Sequence, residues 1–343
     1  MQASAPRTPG RQEDHLTVIA TVKSLLTNHC LSQARHALTL GQPVRGHQLA
    51  RQALMRGVKS RDRRIEAEAY LVLGQAYLLE SRLRLAYKVS SRANELFRQD
   101  SNRAGQSDSL AVMSHAACML GRSEEAVQTA DDGIALCGRG ASPRAYAFGY
   151  NYLGVAATWS RDFARANEAL EAAVGFAKQQ SVAGCASFHP WVNLCFCEAL
   201  QIVESERAGR STDPARLRSL VLRGQAMVQE GRVAMLRPGT STDIGLIILD
   251  FASCFSACRA GLLEDAYEHF TDCRDRTCAM PRPGWLHALV WWCRLELARA
   301  HGNVPLSIHS SHAMGIFAGR GEHAPLQALA NSLEADVMAL SWT

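Results

Sequence analysis

Proline, lysine and long apolar runs are all scarce in this chain, and each shortage narrows what it can be. Only 11 prolines interrupt 343 residues, and aromatic side chains make up 7% of them. With Ala, Leu and Arg recurring throughout, that composition favours helices over sheets. Val/Ile/Thr alternation is missing, and the one stretch with strand character, Ile244 to Leu249, runs directly into helical spacing. No run of about 18 apolar residues occurs, so no segment is expected to span a membrane. The first residues, Met1 to Glu13, are rich in Pro, Ser, Arg and Gln and lack the apolar centre of a signal peptide. They read as a disordered tail on a cytoplasmic protein.

The motifs of common enzymes are also missing. The sequence has no Gly-x-x-x-x-Gly-Lys phosphate loop, no His-Glu-x-x-His helix and no Gly-x-Ser-x-Gly elbow, which argues against catalysis. Metal ligands occur only as pairs at helical spacing: His269 with Cys273, Cys254 with Cys258, and His309 with His312. Zinc needs about four converging ligands and no Cys-x-x-Cys nucleates a site, so neither metal nor cofactor is expected. Eleven cysteines sit largely in apolar helical stretches, at Cys118, Cys195, Cys197, Cys254, Cys258 and Cys293. They read as buried free thiols rather than a disulfide framework.

The net charge of +5 is spread along the chain. Between Pro43 and Arg103 there are 13 basic and 6 acidic residues. A solvated helix face accounts for this surplus, and no zinc-finger spacing or aromatic-basic motif points to nucleic acid.

What the sequence has in abundance is a repeat. Gly46-Ala50-Ala53 is followed by Ala86-Ser90-Ala93, Ala126-Ala130-Gly133 and Ala166-Leu170-Ala173. The lead residues at 46, 86, 126 and 166 define a period of 40. Spacings of four and three put each triplet on one helical face, where small side chains let a second helix approach closely. The partner helix lies upstream: Tyr70, Leu73, Gly74 and Tyr77 precede one triplet, and Tyr150, Leu153, Gly154 and Ala157 precede another at the same offsets. Helices are expected near 14–40, 43–57, 64–80, 83–99, 107–120, 123–137, 144–160, 163–179, 189–207, 214–231, 243–260, 263–277, 285–301, 305–318 and 323–341.

Tyr70-x-x-Leu73-Gly74-x-x-Tyr77 followed by Ala86 and Ala93 resembles the signature of the tetratricopeptide repeat (TPR) family. The turns Leu120 to Ala126 and Gly261 to Ala266 resemble that family's inter-helix turn. The resemblance implies an all-α, right-handed superhelical solenoid of about seven helical hairpins plus a terminal helix. It would occupy residues 14–343, with an irregular unit at 188–232. The units run longer than the family's usual repeat and lack its closing Pro, as in bacterial regulatory TPR proteins.

The family binds partners on its concave face. Carried over position by position, that face holds Gln75, Leu78, His115, Asn151, Val155, Thr158, Trp159, Phe255 and Arg259, with Trp191 and Cys195 next if the register persists. The family's carboxylate clamp of Lys and Asn is not reproduced. The expected function is a non-enzymatic scaffold for a protein or peptide segment, and a homodimer is compatible with it. The alternative is the sensory half of a signalling protein. The closing Leu-Ser-Trp-Thr resembles the linker that joins bacterial TPR sensors to cyclic-dinucleotide synthase (GGDEF-type) domains, as in a diguanylate cyclase.

Overall fold

The computed structural model of the chain describes residues 26–138, 142–179, 185–230, 241–280 and 284–340. The tail expected over Met1 to Glu13, the first part of the helix expected at 14–40, and Ser341 to Thr343 of the closing tetrapeptide lie outside these residues. The described residues are all helical or turn. A helix over 26–39 (α1) is followed by α2 (Pro43–Ser60), α3 (Arg63–Leu79), α4 (Leu83–Gln99), α5 (Arg103–Met119), α6 (Ser123–Leu136), α7 (Pro143–Trp159) and α8 (Phe163–Lys178). The second half comprises α9 (Cys185–Arg207), α10 (Ala215–Gln229), α11 (Ser241–Arg259), α12 (Leu263–Ala279), α13 (Leu286–Ala300), α14 (Val304–Arg320) and α15 (Ala324–Leu340).

These fifteen helices stack as consecutive antiparallel pairs in a TPR-like solenoid. The odd-numbered helices from α3 to α13 touch one another in succession and form the inner layer. The even-numbered helices pack outside them.

The 40-residue period has a simple local cause. In the regular half most helices are 17 residues long, and each is followed by a three-residue turn. The turn places a left-handed residue at 20-residue steps from Gly41 through Arg61, Ser81 and Ser101 to Gly121, and again 40 residues on at Arg161. Helix ends close with the bond pattern such a residue creates. At Gly121, the Arg122 N–H donates to the Ala117 carbonyl at 2.9 Å and the Gly121 N–H donates to the Cys118 carbonyl at 3.0 Å. The next helix then starts on a capping side chain where one is present, such as Asp62 (from Ile65 N–H, 3.1 Å), Asn102 (from Gly105 N–H, 3.0 Å) and Asp162 (from Arg165 N–H, 3.1 Å).

The repeat's small residues sit where the spacing put them. Ala50, Ala53, Ala86, Ser90, Ala93, Ala126, Ala130, Ala166, Leu170 and Ala173 are all buried. The glycines of the Leu-Gly motif allow the two helices of a hairpin to touch: a Cβ on Gly74 would overlap Ser90 Oγ, and one on Gly154 would overlap the Leu170 side chain.

Beyond α8 the repeat loosens and the core changes character. Phe196, Phe251, Phe255, Trp292 and Trp159 join one continuous apolar cluster. Its rings meet at centroid distances of 4.7 to 6.4 Å. The helix expected to begin near His189 starts earlier, at Cys185, and carries Pro190 inside it. The six cysteines expected to be buried are buried and free. No helix among the described residues is long and apolar enough to cross a membrane.

Candidate functional site

One register position recurs on the inner layer. Gln75 on α3, His115 on α5 and Val155 on α7 are 40 residues apart, and all three are half-buried. Leu78 and Asn151 are half-buried as well. The Asn151 carboxamide oxygen accepts a hydrogen bond from Asn193 Nδ2 on α9 at 2.9 Å. A continued 40-residue register pointed to Trp191 and Cys195 instead. Cys195 is buried, and the half-buried Trp191 sends its indole N–H to the Leu220 carbonyl at 2.9 Å. Asn193 lies two positions beyond that offset, so the residue that meets Asn151 escapes the offset rule.

Three residues expected on the open face lie in the interior. Thr158 is 2% exposed, Trp159 7% and Phe255 0%. The Thr158 hydroxyl is spent on the Gly154 carbonyl at 2.8 Å. The Trp159 ring lies 5.4 Å from Phe196 and 4.8 Å from His323, which reaches it from the far end of the chain. Phe255 is enclosed by Phe251, Trp292 and the Arg259 guanidinium. The physical reason is curvature: in the second half large side chains fill the inner layer, and the returning α14–α15 turn covers the end of α7.

Arg259 is committed internally too. It makes a two-pronged pair with Glu206, at 2.9 Å on each side, and reaches Glu296 at 2.8 Å. Glu296 is fully buried and also accepts from the Trp292 indole N–H at 3.0 Å. A second chain of charges, Arg161 to Glu204 (2.6 Å), Glu204 to Arg207 (3.5 Å) and Arg207 to Asp336 (2.7 Å), runs beside it. Buried charges persist only when paired in this way.

The inner wall of α5, α7 and α9 is different, because its polar groups are not paired off. The His115 ring meets Tyr152 edge-on at 5.0 Å, and Phe148 meets Tyr152 at 4.6 Å. Burial alone pushes His115 down to about 4 and the Tyr152 phenol up to about 12. Both side chains nonetheless keep some solvent contact. His115 Nδ1 has no hydrogen-bond partner among the described residues.

Asp108, 40 residues beyond Glu68 and so in the same register, makes no hydrogen bond or ion pair among them. Its carboxyl is raised by burial, and the Arg144 and Arg35 guanidiniums only partly offset this. The offset of 40 from Glu68 was the available sequence signal for Asp108. For Asn193 there was none.

Away from this wall, Asp250, His269 and Asp272 bring one ligand atom each within 4.8 Å of one another. Asp250 is already held by Arg276 at 2.9 Å, and His269 Nε2 lies 3.3 Å from the Gln225 amide nitrogen. The spacing-based pair His269 and Cys273 is not brought together as ligands: the Cys273 thiol is buried and donates to the Ile247 carbonyl at 3.8 Å.

No family model matches the chain, and no curated protein matches it. Solved structures do. A Rap protein complexed with Competence and Sporulation Factor aligns over 91% of this chain and 98% of its own, at 11% identity and a TM-score of 0.51. A tetratricopeptide repeat protein from Parabacteroides merdae aligns over 91% and 98% at 10% identity, with a TM-score of 0.49. At such identities the likeness is one of fold. The molecule is therefore a TPR-like helical repeat protein, of the architecture that Rap proteins share. These matches lend no support to a link with GGDEF-type synthases.

Proposed function

We propose that the chain is a non-enzymatic scaffold whose inner wall, formed by α3, α5, α7 and α9, binds an extended segment of a protein or peptide partner. The observation that carries this reading is the Asn151–Asn193 carboxamide pair. It spends one donor and one acceptor on each other and leaves the Asn151 NH2 and the Asn193 carbonyl for a partner's backbone, which offers the complementary groups at every residue. Around it, His115, Tyr152 and Phe148 supply flat apolar surface, and Asp108 supplies an acidic end to the wall for a basic group on the partner.

Binding rather than catalysis fits the electrostatics of this wall. Burial keeps His115 neutral, and it pushes the Cys118 and Cys195 thiols up to about 12, so these groups are not poised as acid, base or nucleophile. The Rap complex is an instance of this fold holding a factor, which is consistent with the reading.

The test is a phage selection of random linear peptides on the immobilised native chain. Enriched sequences should carry Lys or Arg, and Asp108→Asn should remove that preference while peptides still bind. Failure to enrich any linear peptide would overturn the proposal.

A further inference from the structure

We infer that the turn between α14 and α15, residues 320–324, is a clasp that closes the solenoid upon itself and opens as a unit. Helix α4 begins without a cap of its own, since Arg82 at its N-cap makes no side-chain bond to the first turn. The cap comes from the other end of the chain: the Leu83 N–H donates to Glu322 Oε2 at 3.1 Å across 239 positions, and Arg84 stands 3.9 Å from the same carboxylate. A carboxylate is well placed there, because the first N–H groups of a helix are unpaired and carry its positive dipole end.

The seam is shaped to accept this turn. Glu322 takes a left-handed conformation, φ 55°, which a side-chain-bearing residue adopts at a cost. Beside it, Gly321 lies so close to the Trp285 backbone that any side chain would overlap it. A Cβ on Gly121 would already stand 3.2 Å from that of Ala324. His323 is fully buried, with its ring 4.8 Å from Trp159 and 5.0 Å from Trp285. Its Nδ1 caps α15 by accepting from the Leu326 N–H at 3.2 Å, and its Nε2 has no partner among the described residues. From outside, a cleft lined by Glu80, Arg82, Arg84, Gly284, Arg320 and Glu322 marks the seam.

The contact is thin beside the interfaces it joins. Helix α15 packs along α14, but it meets the first half chiefly through its opening turn against the end of α5. One carboxylate cap, the His323 ring against Trp159, Ala324 against Gly121 and Gly284 against Ser81 hold the seam there. In a solenoid each repeat is stabilised by its neighbours, so a long-range contact can part without unfolding any repeat. Parting here removes the cover of Trp159 and returns the end of α7 to the inner face. The clasp goes beyond the binding reading and stands whether or not a peptide is bound.

Hydrogen exchange of the full chain by mass spectrometry tests it, with small-angle scattering beside it. In the native protein, amides of residues 320–326 and 83–86 should exchange at a common rate, faster than those of α7 and α8. Glu322→Ala should speed both segments together by roughly five- to tenfold, the effect of losing one helix cap, leave α7 and α8 unchanged and raise the radius of gyration. Glu322→Gln, which keeps the acceptor, should fall between. Acceleration confined to 83–86 would reduce Glu322 to a local cap. Acceleration that extends to α7 and α8 would make the seam part of the global core. Either result overturns the clasp.

Discussion

The two halves of the solenoid solve the same packing problem with opposite materials. From α2 to α8, helices approach over Ala, Gly and Ser, and the apolar residues fall largely into several small clusters, one or two hairpins wide. From α9 to α15, Phe, Trp and Leu dominate one continuous cluster that also takes in Cys118, Ala126 and Trp159 of the first half, with the Glu206, Arg259 and Glu296 network beside it. Small residues impose a fixed interaxial distance, so the first half repeats regularly and leaves an open inner wall. Large residues fill space irregularly, so the second half loses the repeat and closes its inner face. On the proposed reading, the binding wall lies chiefly in the first half and the densest packing in the second.

The sharpest way to break this comparison is to remove a charge from each half. Arg259→Met leaves Glu206 without its partner and the fully buried Glu296 with only the more distant Arg299, at 3.8 Å, and should cost about 3–5 kcal/mol in urea unfolding. Its counterpart in the first half, the exposed Arg35–Glu68 pair, should cost less than about 1 kcal/mol when Arg35 is replaced. Equal losses would mean that the two halves are not held differently.

Next in size is Gly154→Ala. The added methyl meets Leu170 within the hairpin, so the expected loss is about 1–3 kcal/mol. Hydrogen exchange should place that loss in α7 and α8 rather than in the second half, because repeats pass strain mainly to neighbours.

A smaller effect belongs to His323 at the junction of the halves. Burial pushes it down to about 3, with His115 adding to the shift. The folded state therefore binds fewer protons than the unfolded one below about pH 6.5. The stability it permits is fully present above that value and is lost as pH falls toward 3. Relative to His323→Asn, the native chain should lose about 1 kcal/mol between pH 6.5 and 5.5 and about 1.4 kcal/mol per pH unit below that. Asp250, raised to about 7 chiefly by burial, acts in the opposite sense over part of this range, so the difference between variants is the quantity to read. A pH-independent difference would show that the ring titrates normally. Smallest is Ser101→Gly, which relieves a left-handed backbone at φ 53° and should gain about 0.5–1 kcal/mol.

The same contrast explains what could be read from sequence. Triplets such as Ala86-Ser90-Ala93 and the Leu-Gly pairs announce the hairpins because close helix approach admits few side chains. Gln75, Leu78, His115, Asn151 and Val155 followed from that register and lie half-buried on the inner layer. Thr158, Trp159 and Phe255 did not remain on an open face, since what covers them comes from distant positions such as His323 and Trp292. No period connects Glu322 to Leu83, and Asn193, which meets Asn151, lies two positions off the 40-residue offset. Local spacing encodes the hairpins, whereas closure depends on how curvature accumulates over many of them.

The central claim, that the inner wall of α3, α5, α7 and α9 binds a partner segment, is tested most directly by titrating a selected peptide into the native chain, into Asn151→Ala/Asn193→Ala and into Arg259→Met. Loss of two backbone hydrogen bonds should weaken binding by roughly 10- to 100-fold in the double variant, with its helical circular dichroism unchanged. The Arg259 variant should bind as the native chain does at a temperature where both are folded. Undiminished affinity in the double variant, or a loss in Arg259→Met alone, would place the binding surface elsewhere and contradict the account.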